Sequence, residues 1–283
     1  MNLIDCHTHT QFSMDSEADI ISCIERAREI GLTAHAITDH CECNAWFPEE
    51  HYTENKPDID YFNYQKDYYA SVETITKLKE KYTDGTKLLC GVELGQITQA
   101  VDIAEKVAAD ERLDFIIGSI HMVRNETDFY FIDYEKMTES EILNLLERYF
   151  LEVHELSKLN IADVIGHLTY CLRYMKQRNN ICPDISRFYD IIAETFRTLA
   201  YNGKGIEINT SGIRQGFGNT FPDLKYVKLF RELGGEILSI GSDAHTAEDI
   251  GKNAADAVET AKAAGFDRLC YFKNRKPQFV DID

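Results

Sequence analysis

Seven times along this chain a short apolar run ends in histidine, aspartate, glutamate or asparagine, and a longer segment with helical spacing follows. Periodicity predicts strands at Asn2–Cys6, Ala34–Thr38, Lys87–Glu93, Asp114–Ile120, Asp163–Gly166, Gly205–Asn209 and Glu236–Gly241. The intervening helices are expected at about Glu17–Ile30, Gln65–Tyr82, Val101–Ala109, Ser140–Leu159, Pro183–Asn202, Asp223–Leu233 and Ala247–Ala264, with a last short strand at Arg268–Tyr271. Repeated strand–helix units give a parallel sheet. With this many units and 283 residues, the sheet is expected to close into a β/α barrel, a fold of about 250 residues. No linker interrupts the pattern, so one domain is expected over residues 1–283. An irregular, lid-like stretch lies at about 41–63.

The strand ends carry the chemistry. They read His7-Thr8-His9 with Asp15 nearby, Thr38-Asp39-His40, Gly91-Val92-Glu93, Ser119-Ile120-His121, Gly166-His167, Glu207-Ile208-Asn209 with Arg214 after it, and Gly241-Ser242-Asp243-Ala244-His245. In a β/α barrel these ends converge on one face, where active sites sit. Six of the nine histidines (7, 9, 40, 121, 167 and 245) occupy such ends. Imidazole and carboxylate are ligands of zinc, manganese and iron. Strand alternation puts both rings of His7-Thr8-His9 on one side. Glu93 is placed to bridge two metals, as in metal-assisted phosphoester hydrolysis. One such histidine alone is more often a hydrogen-bonded core residue; the joint placement argues for a site. His35, His51 and His154 fall within a strand, a loop and a helix and are expected to be structural.

Charge and composition exclude other classes. A net charge of −18 disfavours nucleic acid as a partner, while bound cations would still admit a small phosphorylated metabolite. The start Met-Asn-Leu-Ile-Asp-Cys-His is not a signal peptide, and no apolar run approaches the ~20 residues of a membrane span. A cytoplasmic protein is expected. Eight scattered cysteines without a CxxC pair read as reduced thiols.

Taken in order, His7-Thr8-His9 with Asp15, Thr38-Asp39-His40, Gly91-Val92-Glu93, Ser119-Ile120-His121, Val164-Ile165-Gly166-His167 and Gly241-Ser242-Asp243-Ala244-His245 resemble the motifs of the polymerase and histidinol phosphatase (PHP) superfamily. The segment Glu207 to Arg214, and Arg173 after His167, look most like its stand-alone histidinol-phosphate phosphatases. The resemblance implies a distorted (β/α)7 barrel with two or three divalent ions (Zn, Mn or Fe). His7, His9, Glu93 and Asp243 would hold the first. Glu93, His121 and His167 would hold the second, and Asp15, His40 and His245 the third. Asp15 stands where many relatives carry histidine. It is a harder ligand, which would shift preference towards manganese or iron.

The activity so implied is hydrolysis of L-histidinol phosphate to L-histidinol and phosphate, a step of histidine biosynthesis. A hydroxide generated on the metals would attack phosphorus. Arg173 and Arg214 would clamp the phosphate, and a metal-bound water, Asp243 or His245 would protonate the leaving alcohol. The loop after the second strand carries Trp46, Phe47, Tyr52, Tyr61 and Phe62 with Glu49, Glu50, Asp58 and Asp60, a lid suited to a cationic substrate. Three alternatives stand beside this reading. One is a phosphoesterase or phosphodiesterase acting on small nucleotides or another metabolite. Another is an amidohydrolase, for which no lysine is suitably placed. The last is a metal-stabilised binding domain, which would have lost ligands.

Overall fold

The computed structural model describes residues 2–51 and 63–282. In chain order the elements are β1 (Ile4–Asp5), α1 (Ile20–Glu29), β2 (Ala34–Ile37), β3 (His40–Glu42), α2 (Tyr64–Lys81), β4 (Lys87–Gly95), α3 (Val101–Ala108) and β5 (Phe115–Ser119). There follow α4 (Glu139–Leu159), β6 (Val164–Ile165), α5 (Arg173–Asn179), α6 (Tyr189–Tyr201), β7 (Gly205–Asn209), α7 (Ser211–Arg214), α8 (Leu224–Glu232), β8 (Leu238–Gly241), α9 (Ala254–Ala263), β9 (Arg268–Lys273) and β10 (Lys276–Asp281).

The strands β1-β2-β4-β5-β6-β7-β8 pair in that order, all parallel. β8 returns to the β1 edge: Cys6 N donates to the Ile240 carbonyl at 2.8 Å, and Thr8 bridges Ala244. The sheet is thus nearly closed into a barrel with helices around it, as the repeated units predict. β3 extends β4 in parallel, pairing His40 with Glu93.

Local chemistry explains the boundaries. Asp19 caps α1 by accepting from Ser22 N, and Thr138 and Glu141 form a capping box on α4. α1 stops at Gly31, whose φ of 71° suits a residue without Cβ. α9 starts at Ala254, seven residues later than its sequence pattern suggests. The segment before it folds as a short 3-10 turn, Ala247–Asp249, and turns that hold the barrel rim. The core lies between the strands and the helix faces, with Phe115, Phe150, Phe196 and Phe230 fully buried.

The end of the barrel opposite the strand C-termini is sealed by the β9–β10 hairpin, which sequence periodicity reads only as a single short strand. Asn274 N donates to Asp114 Oδ1 at 3.0 Å, and Arg275 Nε to Asp163 Oδ2 at 2.6 Å. Among the described residues no helix is long and apolar enough to cross a membrane. The cysteines are unpaired, and all but Cys182 are buried.

Two of the three histidines set apart by sequence make hydrogen-bonded contacts within the scaffold. His154 Nδ1, on α4, sits 3.3 Å from Thr195 Oγ1 of α6, where the two helices pack. His35 is buried in β2 with Nε2 2.9 Å from Thr8 Oγ1. That hydroxyl donates to the Ala36 carbonyl, so His35 Nε2 carries the proton and Nδ1 is left bare and unpartnered. Burial pushes His35 down to about 4 from an ordinary 6.5. The folded state therefore binds fewer protons than the unfolded chain between these values. Its contribution is complete above pH 6.5 and is lost as pH falls towards 4, to about 3 kcal/mol. Urea unfolding of wild type and His35→Asn across this window should show a shallower pH dependence in the variant. Equal slopes would show that His35 does not titrate on unfolding.

Candidate metal centre and its cleft

Glu93, on the inner face of β4, is the hub of the C-terminal face. Its Oε2 lies 2.8 Å from His40 Nδ1, 3.2 Å from His7 Nε2 and 3.5 Å from His9 Nε2. Its Oε1 lies 2.8 Å from His167 Nε2 and 3.1 Å from His121 Nε2, and accepts from Ser119 Oγ at 2.6 Å. Asp243 Oδ1 reaches His9 Nε2 at 3.4 Å, His245 Nδ1 at 3.7 Å and His7 Nε2 at 3.9 Å. Asp15 pairs with His245 at 3.1 Å and His40 at 3.6 Å. The nine expected ligands thus meet in one cluster, although they derive from six strand ends and, for Asp15, one loop.

The ligand atoms fall into overlapping groups close enough to share an ion: His7, His9 and Asp243; His7, Glu93 and His167; His40, Glu93 and His121; and His9, His40 and His245. His7, His9 and His40 each enter two groups, whereas the sequence reading assigns each to one. Their rings stack 4.2 Å apart, and His9 stacks on His245 at 4.3 Å.

The donor set fits divalent ions on a physical test. His7 Nε2, His9 Nε2, His40 Nδ1 and Glu93 Oε2 are buried, face one another and accept no hydrogen bond. Orphan acceptors in a protein interior are costly, and cations offset that cost. The opposite ring atoms are held to make this so. His7 Nδ1 lies 2.7 Å from Glu207 Oε1, and His121 Nδ1 2.8 Å from Glu42 Oε1. His9 Nδ1 is 3.1 Å from Ser13 Oγ, whose own proton goes to Asp39 at 2.9 Å. Each carboxylate or hydroxyl accepts a hydrogen bond from Nδ1–H, the tautomer that leaves Nε2 as a lone pair towards the centre.

Asp39 itself is no ligand. It accepts from Thr10 N, Thr10 Oγ1, Ser13 Oγ and Ser71 Oγ at 2.6–2.9 Å. Glu207 also accepts from His167 N at 2.8 Å, where φ is 21°, and so holds that strained backbone. Gly241 is required beside it, because a Cβ there would overlap the Glu207 carboxylate and His7.

Without metal, protons occupy these gaps. Burial lowers His7, His40 and His121, yet the carboxylates outweigh it. Glu207 and Glu93 hold His7 above its ordinary value, Glu93 and Asp15 hold His40, and Glu42 and Glu93 hold His121. His9 goes the other way, to about 3, through burial and the neighbouring His40 and His245. Despite burial, Glu93 is kept well below the carboxylate range by His7, His40 and His121. Raised imidazole pKa values mean that metal must displace protons at neutral pH, and that its affinity falls as pH falls. Titrating metal-stripped protein with Zn²⁺ in weak buffer at pH 7 should acidify the solution by more than one proton per chain. An unchanged pH would remove the protonated imidazoles.

The cluster floors a cleft of about 400 Å³, ample for a small metabolite. Its walls include Asn44, Tyr64, Asp128, Tyr130, Tyr170 and Tyr174. Arg173 lines it, buried, with its guanidinium 5.6–5.9 Å from the faces of Tyr170, Tyr174 and Phe221. One Nη donates to Gln215 and Nε has no partner.

Arg214 is placed differently from the sequence expectation. Nη1 donates to the Ser242 carbonyl at 2.8 Å and Nη2 to the Asp243 carbonyl at 3.0 Å, while Nε pairs with Asp249 at 3.1 Å. It is not among the cleft-lining residues. It ties down a loop in which Asp243 has φ 54°.

Of the expected lid, Trp46 is instead fully buried against Tyr68, and Phe47 packs near His51. Tyr52, Asp58, Asp60, Tyr61 and Phe62 lie outside the described residues. Sequence reading assigns no role to Glu42, Ser13 or the wall residues 122–131. Alternation continued through His40-Cys41-Glu42 would have put Glu42 on the face of His40.

The PHP domain family matches residues 5–211. The "Probable histidinol-phosphatase" of Thermotoga maritima is 28% identical over 268 residues, 94% of each chain. The "Histidinol-phosphatase" of Lactococcus lactis is 28% identical over 291 residues, covering 98% of this chain and 96% of that one. The crystal structure of the histidinol phosphate phosphatase of Lactococcus lactis, complexed with zinc, L-histidinol and phosphate, superposes with a TM-score of 0.77 at 24% identity. It covers 98% of this chain and 99% of that one.

Proposed function

The chain belongs to the PHP domain family, and from that premise we propose that it is a metal-dependent phosphomonoesterase that hydrolyses L-histidinol phosphate to L-histidinol and phosphate. The observation that carries the reading is Glu93, one buried carboxylate whose two oxygens face five imidazoles at the floor of a cleft. Support for the substrate comes from the full-length likeness to histidinol-phosphatases, one of them solved with zinc, L-histidinol and phosphate.

In this account His7, His9, Glu93 and Asp243 hold one ion, and Glu93, His121 and His167 a second. Asp15, His40 and His245 provide a third place. Divalent ions there supply Lewis acidity to the phosphoryl oxygens and lower the pKa of water. The protein's own part is orientation and charge. Arg173 offers its unpartnered Nε–H and remaining guanidinium protons to phosphate oxygens, a charge-assisted contact in a water-poor wall. Arg214 acts one step back, fixing the Asp243 peptide so that its carboxylate stays on His7 and His9.

Of the two side chains considered as proton donor, Asp243 is held well below the carboxylate range by His9, His7 and His245 despite its burial, so it remains ionised. His245 is held above the ordinary imidazole value, Asp15 and Asp243 overcoming its burial. Its Nε2, 3.1 Å from Asp15 Oδ2, makes His245 the side chain that would pass a proton to the leaving alkoxide. A third ion would displace that proton.

Phosphate release from L-histidinol phosphate, beside a panel of phosphomonoesters, phosphodiesters and nucleotides, tests the proposal. A kcat/KM for histidinol phosphate at least about 100-fold above the panel is expected. Preference for a nucleotide or a diester would discard the substrate and keep the centre.

A further inference from the structure

We propose that Asp128 makes this cleft selective for phosphomonoesters that carry a protonated amine, by pairing with that ammonium group. The inference rests on the phosphatase reading above and concerns what the cleft recognises beyond phosphate.

Five carboxylates line the cleft: Asp15, Glu42, Glu93, Asp128 and Asp243. Four of them are tied to imidazoles, Asp15 to His245, Glu42 to His121, Glu93 to His40 and Asp243 to His9. Asp128 differs. Among the described residues its side chain accepts one hydrogen bond, from Tyr130 N to Oδ1 at 2.6 Å, and no lysine, arginine or histidine pairs with it. A half-buried carboxylate without a cation is an unfavourable arrangement in an unliganded protein. A ligand cation relieves it.

The loop is built to hold Asp128 still. Phe129 is fully buried beside it, against Tyr149 and Tyr170. Phe129 N donates to the His121 carbonyl at 3.1 Å, and Tyr134 Oη to the Phe129 carbonyl at 3.0 Å. Phe131 N donates to the Asp128 carbonyl at 2.9 Å, and Arg178 to that of Tyr130. A carboxylate anchored this way loses little freedom on binding.

A second, independent observation points to the same ligand chemistry. Asn44 is buried and lines the cleft. Its Nδ2 is committed to Gln99 Oε1 at 3.0 Å, which leaves Oδ1 as an acceptor with no donor. Glu42 Oε2 is likewise buried without a donor. Two cleft-lining residues, Asn44 and Glu42, thus each hold a buried oxygen in want of a donor, and a primary ammonium brings three N–H donors. The same wall repels phosphate, which leaves that group to Arg173 and the centre. Charge at the two ends thus sets the orientation of the substrate.

Steady-state kinetics of wild type, Asp128→Asn and Asp128→Glu would be compared on three esters. These are L-histidinol phosphate, the analogue with hydrogen in place of its amino group, and 4-nitrophenyl phosphate. Asp128→Asn is expected to lower kcat/KM for the amine ester about 100-fold and to leave the two amine-free esters within about threefold. Asp128→Glu should recover part of the loss. An equal fall on all three esters, or none on the amine ester, would overturn the assignment while the phosphatase activity stands. Should wild type hydrolyse no phosphomonoester, the phosphatase reading falls by itself, and calorimetry with L-histidinol alone decides the role of Asp128. Binding that Asp128→Asn abolishes keeps it; binding that is absent, or the same in both proteins, removes it.

Discussion

Glu93→Ala is expected to empty the centre and abolish phosphatase activity. Loss of a residue that merely supports a metal ligand lowers metal affinity or activity 10–100-fold. Glu93 instead touches both halves of the cluster, so activity should fall by at least ~10³-fold, with less than one ion retained per chain. The imidazoles would lose the one anion shared by His7, His40 and His121, which Glu207, Asp15 and Glu42 respectively would then hold alone. Removing one partner of a buried pair costs roughly 3–5 kcal/mol, so thermal unfolding of the stripped protein should also change. Metal analysis and phosphate release on the purified variant check this. Retention of two ions with near-normal turnover would mean that Glu93 is a core carboxylate and not a bridge.

The second large effect separates the two arginines. Arg173→Ala should lower kcat/KM for phosphomonoesters by roughly 10²–10³-fold, the loss typical of a donor aimed at developing charge, without changing metal content. Inhibition by free orthophosphate should weaken in parallel. Arg214→Ala should lower activity by another route. With its bonds to the Ser242 and Asp243 carbonyls gone, the strained Asp243 backbone can relax and the variant should retain less metal. Metal content distinguishes the two. If Arg214→Ala keeps its full complement and loses only phosphate affinity, the guanidinium leaves its carbonyls to bind substrate, as the sequence alone suggests.

What the sequence discloses here follows from which interactions are local. Strand ends are legible because burial makes each run apolar until the chain emerges at the rim. There His7, His40, Glu93, His121, His167 and Asp243 break the pattern. The partners that tune them are not legible in that way. Glu207 meets His7 across the closed sheet, 200 residues away in the chain, and Glu42 reaches His121 from a strand too short to show a period. Trp46 reads as a lid residue because its neighbours are polar, yet it turns inward to Tyr68. Sequence also underrates the β5–α4 loop. Its aromatic and acidic residues look like solvated punctuation until Phe129 is seen buried and Asp128 is seen lining the cleft. Arg214 carries the right charge near the right strand, and only geometry reveals that its three guanidinium nitrogens are engaged.

The central claim is that this cluster binds metal and that the bound metal makes the cleft a phosphatase. Stripping the protein with a chelator, then adding Zn²⁺ or Mn²⁺ in steps while following bound metal and phosphate release from L-histidinol phosphate, tests it most directly. Activity should be absent in the stripped protein and rise in step with the second ion bound per chain. Full turnover in the metal-free protein, or saturation of the centre with no turnover on any phosphoester, would contradict it.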